Sequence, residues 1–207
     1  MTTTPRDLQI VAVLVCGDVA APRPVDPGDL SLALAGAEVI DLLRAGVLTL
    51  DGDRIVPDDR ARRAPADRLL DAAASALVRQ APHESVEDWL WRRGRGLSAV
   101  YRAALTHEGT LTRERRRLPF LKGRTTVAAS SARSHAAGRW SSGEPVLAAL
   151  AAAAGIRETP AEDSLSGTDD AVVTVLAAVN EAVVELEGVR QRRSVEQAAF
   201  DNIWRGV

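Results

Sequence analysis

The sequence predicts a mainly α protein, a single helical-bundle domain over residues 1–207 with two small β-hairpins. Three observations carry this reading. Apolar residues recur at helical spacing in several stretches, the longest at 171–187. Glycine and proline stand where those stretches should stop or start. Only two short regions, each opening just after a glycine, read as β-hairpins. At 207 residues, 46% hydrophobic and 26% charged, the chain can bury one sizeable core and has an ordinary globular composition.

Residues 8–16 are apolar, but over so short a run periodicity does not separate helix from strand. Pro22, Pro24 and Pro27 interrupt regular structure, and Asp29 offers an N-cap for a helix at 30–45 that Gly46 stops. Val47, Leu48, Thr49 and Leu50 then lead into a turn at Asp51, Gly52 and Asp53, and Arg54, Ile55 and Val56 return as the second strand. Residues 57–67 are a charged loop, and a helix at 68–80 ends near Pro82. Ser85 with Asp88 reads as a capping box opening a helix that carries Val86, Trp89 and Leu90.

Gly94 and Gly96 break that helix, and 97–107 forms the next, with Val100, Tyr101, Ala104 and Leu105 inward. Here the chain echoes itself. Helix, Gly46 and a short strand are repeated as helix, Gly109 and Thr110, Leu111, Thr112. From Pro145 a helix at 146–154 is closed by Gly155. Asp169 or Asp170 caps the helix at 171–187, whose buried face is Val172, Val173, Leu176, Val179, Val183 and Leu186. A last helix spans 194–204.

Charge is distributed unevenly. Residues 89–139 hold twelve Lys or Arg against only Glu108 and Glu114, a local excess of +10 in a chain whose net charge is −2. A split of this size points to an anionic partner, lipid headgroups or nucleic acid, or to an acidic patch on a protein or on the chain's own remainder. Arg115, Arg116, Arg117 and Arg124 flank Leu118, Pro119, Phe120 and Leu121, which makes an apolar tip with a basic collar. That pairing of charge and apolar wedge suits a peripheral membrane contact. Helix, glycine, strand and Arg-rich hairpin also read as half of a winged helix, but the exposed face of 97–107 offers only Ser98, Arg102 and Thr106 for reading bases.

The sequence carries no recognised motif of reaction chemistry. His83, His107 and His135 are not at metal spacing, and the lone Cys16 excludes an internal disulfide and a cysteine-based zinc site. No G-x-S-x-G, P-loop or H-E-x-x-H occurs. Residues 94–99 fit G-x-G-x-x-A by letter, but Trp89 to Arg93 precede them where a dinucleotide site needs a buried strand. No cofactor and no enzymatic activity is expected. The longest apolar stretch, 145–156, is well short of the roughly 20 residues that cross a bilayer. The start of the chain lacks a secretory signature, so the expectation is a cytoplasmic, peripherally membrane-associated protein.

The segments LALAGAEVIDLLRAGVLTLDGDRIV (32–56) and RGLSAVYRAALTHEGTLTRERRRLPFLKGRTTV (95–127), with the long apolar helix near the C-terminus, resemble the Golgi phosphoprotein 3 family. The composition is similar to that of its bacterial members. The resemblance implies one helical domain without catalysis. Eukaryotic members bind phosphatidylinositol 4-phosphate and act as peripheral adaptors for glycosyltransferases, which makes a protein cargo a further expected partner. Their headgroup set is a tryptophan, an arginine and a pair of arginines; here these positions fall on Asp26, Ala35, Arg95 and Ser98. Only Arg95 is retained, with Arg92 and Arg102 as the neighbouring cations expected to complete a basic pocket. The family's membrane-inserting hairpin, which also supports self-association, corresponds to 115–124.

Overall fold

The computed structural model describes residues 3–16, 25–58, 66–113, 125–156, 165 and 167–205, the side chains of Cys16, Arg113 and 198–205 excepted. Among these, eight helices and two separate antiparallel strand pairs follow in the order α1 (Thr4–Cys16), α2 (Pro27–Arg44), β1 (Leu48–Asp51), β2 (Arg54–Pro57), α3 (Arg68–Ser75), α4 (Val86–Arg93), α5 (Leu97–His107), β3 (Leu111–Arg113), β4 (Thr125–Val127), α6 (Ser131–Ser141), α7 (Pro145–Ala153) and α8 (Asp170–Arg205). The fold is mainly α, as the sequence predicts.

The apolar N-terminal run settles as helix α1, and α2 lies at the centre of the bundle. Every residue of α2 from Leu30 to Ile40 is buried, and it packs against α1, α3, α4, α5, α7 and α8. A helix enclosed on all faces must be apolar or small nearly throughout, which explains its leucine, alanine and glycine content. Gly36 marks the tightest approach. A Cβ there would lie 2.4 Å from Cγ2 of Val179 on α8.

The two helix–glycine–strand units fold alike. Gly46 and Gly109 both take positive φ, 66° and 74°, as a left-handed helix stop requires. In each unit the next amide bonds back to the helix, Val47 N–H to Leu42 O at 3.0 Å and Thr110 N–H to Leu105 O at 2.9 Å. Each hairpin is then closed by one more equivalent bond, Asp58 N–H to Val47 O and Ala128 N–H to Thr110 O, both at 2.9 Å. β1 and β2 pair Leu48 with Pro57, and β3 and β4 pair Leu111 with Val127.

Several boundaries and faces differ from expectation. The N-cap of α2 is Asp26, whose carboxylate accepts from Gly28 N–H at 2.6 Å, because Pro27 is well suited to the first helical position. α3 stops at Ser75, five residues before the expected end. Val100 is 47% exposed, since Leu97, Ser98, Tyr101 and Leu105 define the inward face of α5. α6, closed at its start by Ser130, is a helix that the sequence pattern does not announce, because only Ala136 on it is buried. The two C-terminal helices are one. Gly188 costs a helix about 1 kcal/mol, but Arg190 and Gln191 both bond back to Glu187 and Arg190 also holds α2, so the helix runs through.

One polar cluster sits inside the bundle. Glu38 of α2 is fully buried and accepts Arg93 Nε at 2.8 Å, Arg93 Nη2 at 2.9 Å and the Tyr101 hydroxyl at 3.0 Å. Burial raises the Glu38 carboxyl above its ordinary 4.5 against the pull of Arg93 and Tyr101, and burial also pushes the Tyr101 phenol upward. Trp89 Nε1–H donates to Ala35 O at 3.2 Å. Together these bonds fix α4 and α5 on α2.

Two outcomes follow. Gly36→Ala is expected to lower the melting temperature, because an overpacking cost of about 1–3 kcal/mol exceeds the gain of about 1 kcal/mol in helix propensity; adding Val179→Ala should recover part of the loss in thermal denaturation. Arg93→Met leaves Glu38 buried without its cation and should cost about 3–5 kcal/mol. A carboxyl whose folded pKa is raised favours folding when protonated, and that contribution fades as pH rises through the folded value. The deficit of Arg93→Met should therefore shrink as pH is lowered from neutral toward 5, read as the gap in melting temperature from the parent.

Candidate functional site

The basic stretch resolves into two kinds of arginine. Arg92, at the end of α4, donates to the Glu84 carboxylate at 2.6 and 3.1 Å and to Ala76 O at 3.1 Å, with its guanidinium 5.1 Å from the Trp89 ring centroid. Arg93 turns inward to Glu38. Arg139 of α6 donates to Asp7 at 2.8 Å and to Glu144 at 2.9 Å, and Arg133 donates to Val127 O at 3.2 Å. Part of the local positive excess is thus spent on the chain's own acidic remainder.

Arg95 and Arg102 differ. Both are exposed, and neither guanidinium has an ion-pair partner among the described residues. Arg95 precedes Gly96, whose φ of 70° turns the chain into α5, and Arg102 stands on the outward side of that helix with Ala99, Val100, Ala103 and Thr106. The remaining expected site residues, Arg115, Arg116, Arg117, Leu118, Phe120, Leu121 and Arg124, lie outside the described residues.

The positions expected from the resemblance to correspond to the family's headgroup set are occupied in another way. Ala35 is fully buried within α2. Ser98 is buried too; its N–H donates to Ser31 Oγ at 3.0 Å and its hydroxyl to Pro27 O at 3.2 Å. Asp26 caps α2 and receives Arg190 of α8, which also donates to Asp29 at 2.8 Å. Burial pushes the Asp29 carboxyl up despite Arg190. The N–H groups that make a helix start attractive to phosphate already face Asp26, and two carboxylates there outnumber the one cation.

Sequence reasoning missed Arg190, and no local signal gives it, because its partners lie 161 and 164 residues away. It also missed how the first turn of α1 anchors the bundle. Arg6 bridges Asp67 at the start of α3 and Glu108 at the end of α5, the latter at 2.6 and 3.0 Å. Asp7, fully buried, holds both Arg139 and His135.

At the other end of α2 lies a cleft of about 610 Å³, floored by Leu43, Leu48 and Val146 and rimmed by Arg44, Glu144 and Asp169. Glu144 and Asp169 are committed to capping α7 and α8. Among the described residues no group of acidic, histidine or cysteine side chains is placed to hold a metal, and no helix is long and apolar enough to cross a membrane.

No curated protein matches the chain. The family model of Golgi phosphoprotein 3 (GPP34) matches residues 12–197, which take in both helix–glycine–strand units, the basic stretch and α8 through its exposed part. On that match the chain belongs to the Golgi phosphoprotein 3 family.

Proposed function

We propose that this protein is a non-enzymatic peripheral membrane adaptor that binds anionic phospholipid surfaces through Arg95, Arg102 and the apolar-tipped basic segment at 115–124. The observation that supports it best is selective pairing. Among the described residues, Arg92, Arg93 and Arg139 of the stretch are held in internal ion pairs, whereas Arg95 and Arg102 are exposed without an ion-pair partner. Two exposed cations in a segment of sequence this rich in arginine are costly in self-repulsion and useful for meeting a negative surface. Family membership agrees with an adaptor role.

General negative charge, more than one phosphoinositide, is the feature recognised. Asp26 and Ser98 stand where the family's headgroup set would place its tryptophan and one arginine, and both are consumed in internal bonds. A nucleic-acid module is the weaker reading, because the outward face of α5 carries Ala99, Val100 and Ala103 beside its one arginine.

Each arginine near an anionic bilayer contributes about 1 kcal/mol, so Arg95→Gln with Arg102→Gln should weaken partitioning onto phosphatidylserine vesicles roughly 30-fold at low salt. Flotation of the variant beside the parent measures this. Equal recovery of both would remove these residues from the contact. Leu118→Ser, Phe120→Ser and Leu121→Ser together should weaken flotation at low salt as well, with little change in melting temperature, because they remove the apolar part of the anchor. A gel shift with duplex DNA, unaccompanied by flotation, would favour the nucleic-acid reading.

A further inference from the structure

Three of the exposed large hydrophobic side chains lie on one line of α8. Val173, Val184 and Val195 are 39%, 72% and 69% exposed and stand eleven residues apart. Eleven residues overshoot three helical turns by only about 20°, so the three share a face over roughly 33 Å. Val173 therefore belongs to this outward face, not to the buried one that the apolar pattern assigned it.

The repeat extends beyond valine. Four residues after the first two valines come Ala177 and Gly188, and three further on come Asn180 and Gln191. Valine, small residue and amide thus recur with spacings of four, three and four, the seam of an eleven-residue coiled-coil repeat. The opposite side of α8 holds the bundle through Val172, Val175, Leu176, Val179 and Ala182, and Arg190 fastens it to α2. From Gln191 to Gln197 every residue is exposed, yet the helix continues to Arg205.

We infer that the outward face of α8 pairs with α8 of a second copy as a parallel, in-register two-stranded coil. In that register valine meets valine, small residue meets small residue, and Asn180 and Gln191 meet their own counterparts, where side-chain amides hydrogen-bond across the seam and fix register and orientation. Glu187 of one copy falls beside Arg192 of the other, on both sides of the seam. An antiparallel pairing that stacks Val184 on Val195 sets Glu181 against Glu196 and cancels the attraction of Glu185 for Arg192. A lipid surface is the poorer occupant, because Glu181, Glu185, Glu187 and Glu196 stand near the seam and an anionic bilayer repels them. The bundle lies on the far side of α8, so two copies meet with their bodies outward.

Sedimentation equilibrium of the full chain over a concentration series tests this. The parent is expected to dimerise, and Val184→Glu with Val195→Glu to weaken the dimer by about tenfold or more; both positions are exposed, so the variant should keep the parent's circular dichroism and melting temperature. Val195→Cys should oxidise to a disulfide that joins the two introduced thiols, identified by peptide mass. A parent that stays monomeric, or a double variant that dimerises as tightly as the parent, overturns the proposal. So does a thiol pair that forms only when Val184→Cys and Val195→Cys chains are mixed.

Discussion

Glu38 sits inside the bundle with no contact to solvent, and most of the arrangement follows from what that carboxylate needs. A buried charge is tolerated only when paired and hydrogen-bonded. Arg93 and Tyr101 satisfy it from two different helices, which fixes α4 and α5 on α2. Because α2 is covered on every side, this one cluster sets where Gly94, Arg95 and Gly96 turn the chain and hence where Arg95 and Arg102 emerge. The membrane-facing chemistry proposed above thus depends on a purely internal interaction one residue away from Arg92.

The charge asymmetry of the sequence has a double meaning in the structure. Arginines of residues 89–139 serve as internal bolts where an acidic partner is folded against them: Glu84 for Arg92, Glu38 for Arg93, Asp7 and Glu144 for Arg139. This is the protein's own acidic remainder meeting its basic stretch. Arg95 and Arg102 have no acidic partner among the described residues, and it is these two that we propose meet an external anion. Composition shows the excess but not this division, which is decided by contacts across the bundle.

Local features were legible in the sequence because short-range chemistry specifies them. The Ser85–Asp88 capping box, the turn at Gly52, the paired glycine stops and the span of α5 all appear as read. Features that depend on distant partners were not. Glu38 carries no mark of burial, because Arg93 lies 55 residues away. α8 misled on two counts. Gly188 suggests a break that Arg190 and Glu187 bridge, and the adjacent Val172 and Val173 hide the fact that one faces the bundle and the other faces out. Of the candidate site, the arginines were readable as residue types, but not which of them pair internally, as Arg92 does with Glu84. The occupation of the α2 start by Asp26 and Arg190 was not readable either, since it joins residues at opposite ends of the chain.

Recognition of negative charge in general, more than of one headgroup, is the central claim, and vesicles of matched surface charge test it directly. Flotation would be compared between phosphatidylinositol 4-phosphate and phosphatidylserine vesicles adjusted to equal surface potential, with neutral vesicles as baseline, across a salt series. The account predicts equal recovery on the two anionic surfaces, falling together as salt screens the arginines, and none on the neutral one. Recovery confined to phosphatidylinositol 4-phosphate, or unchanged by salt and charge, would contradict it.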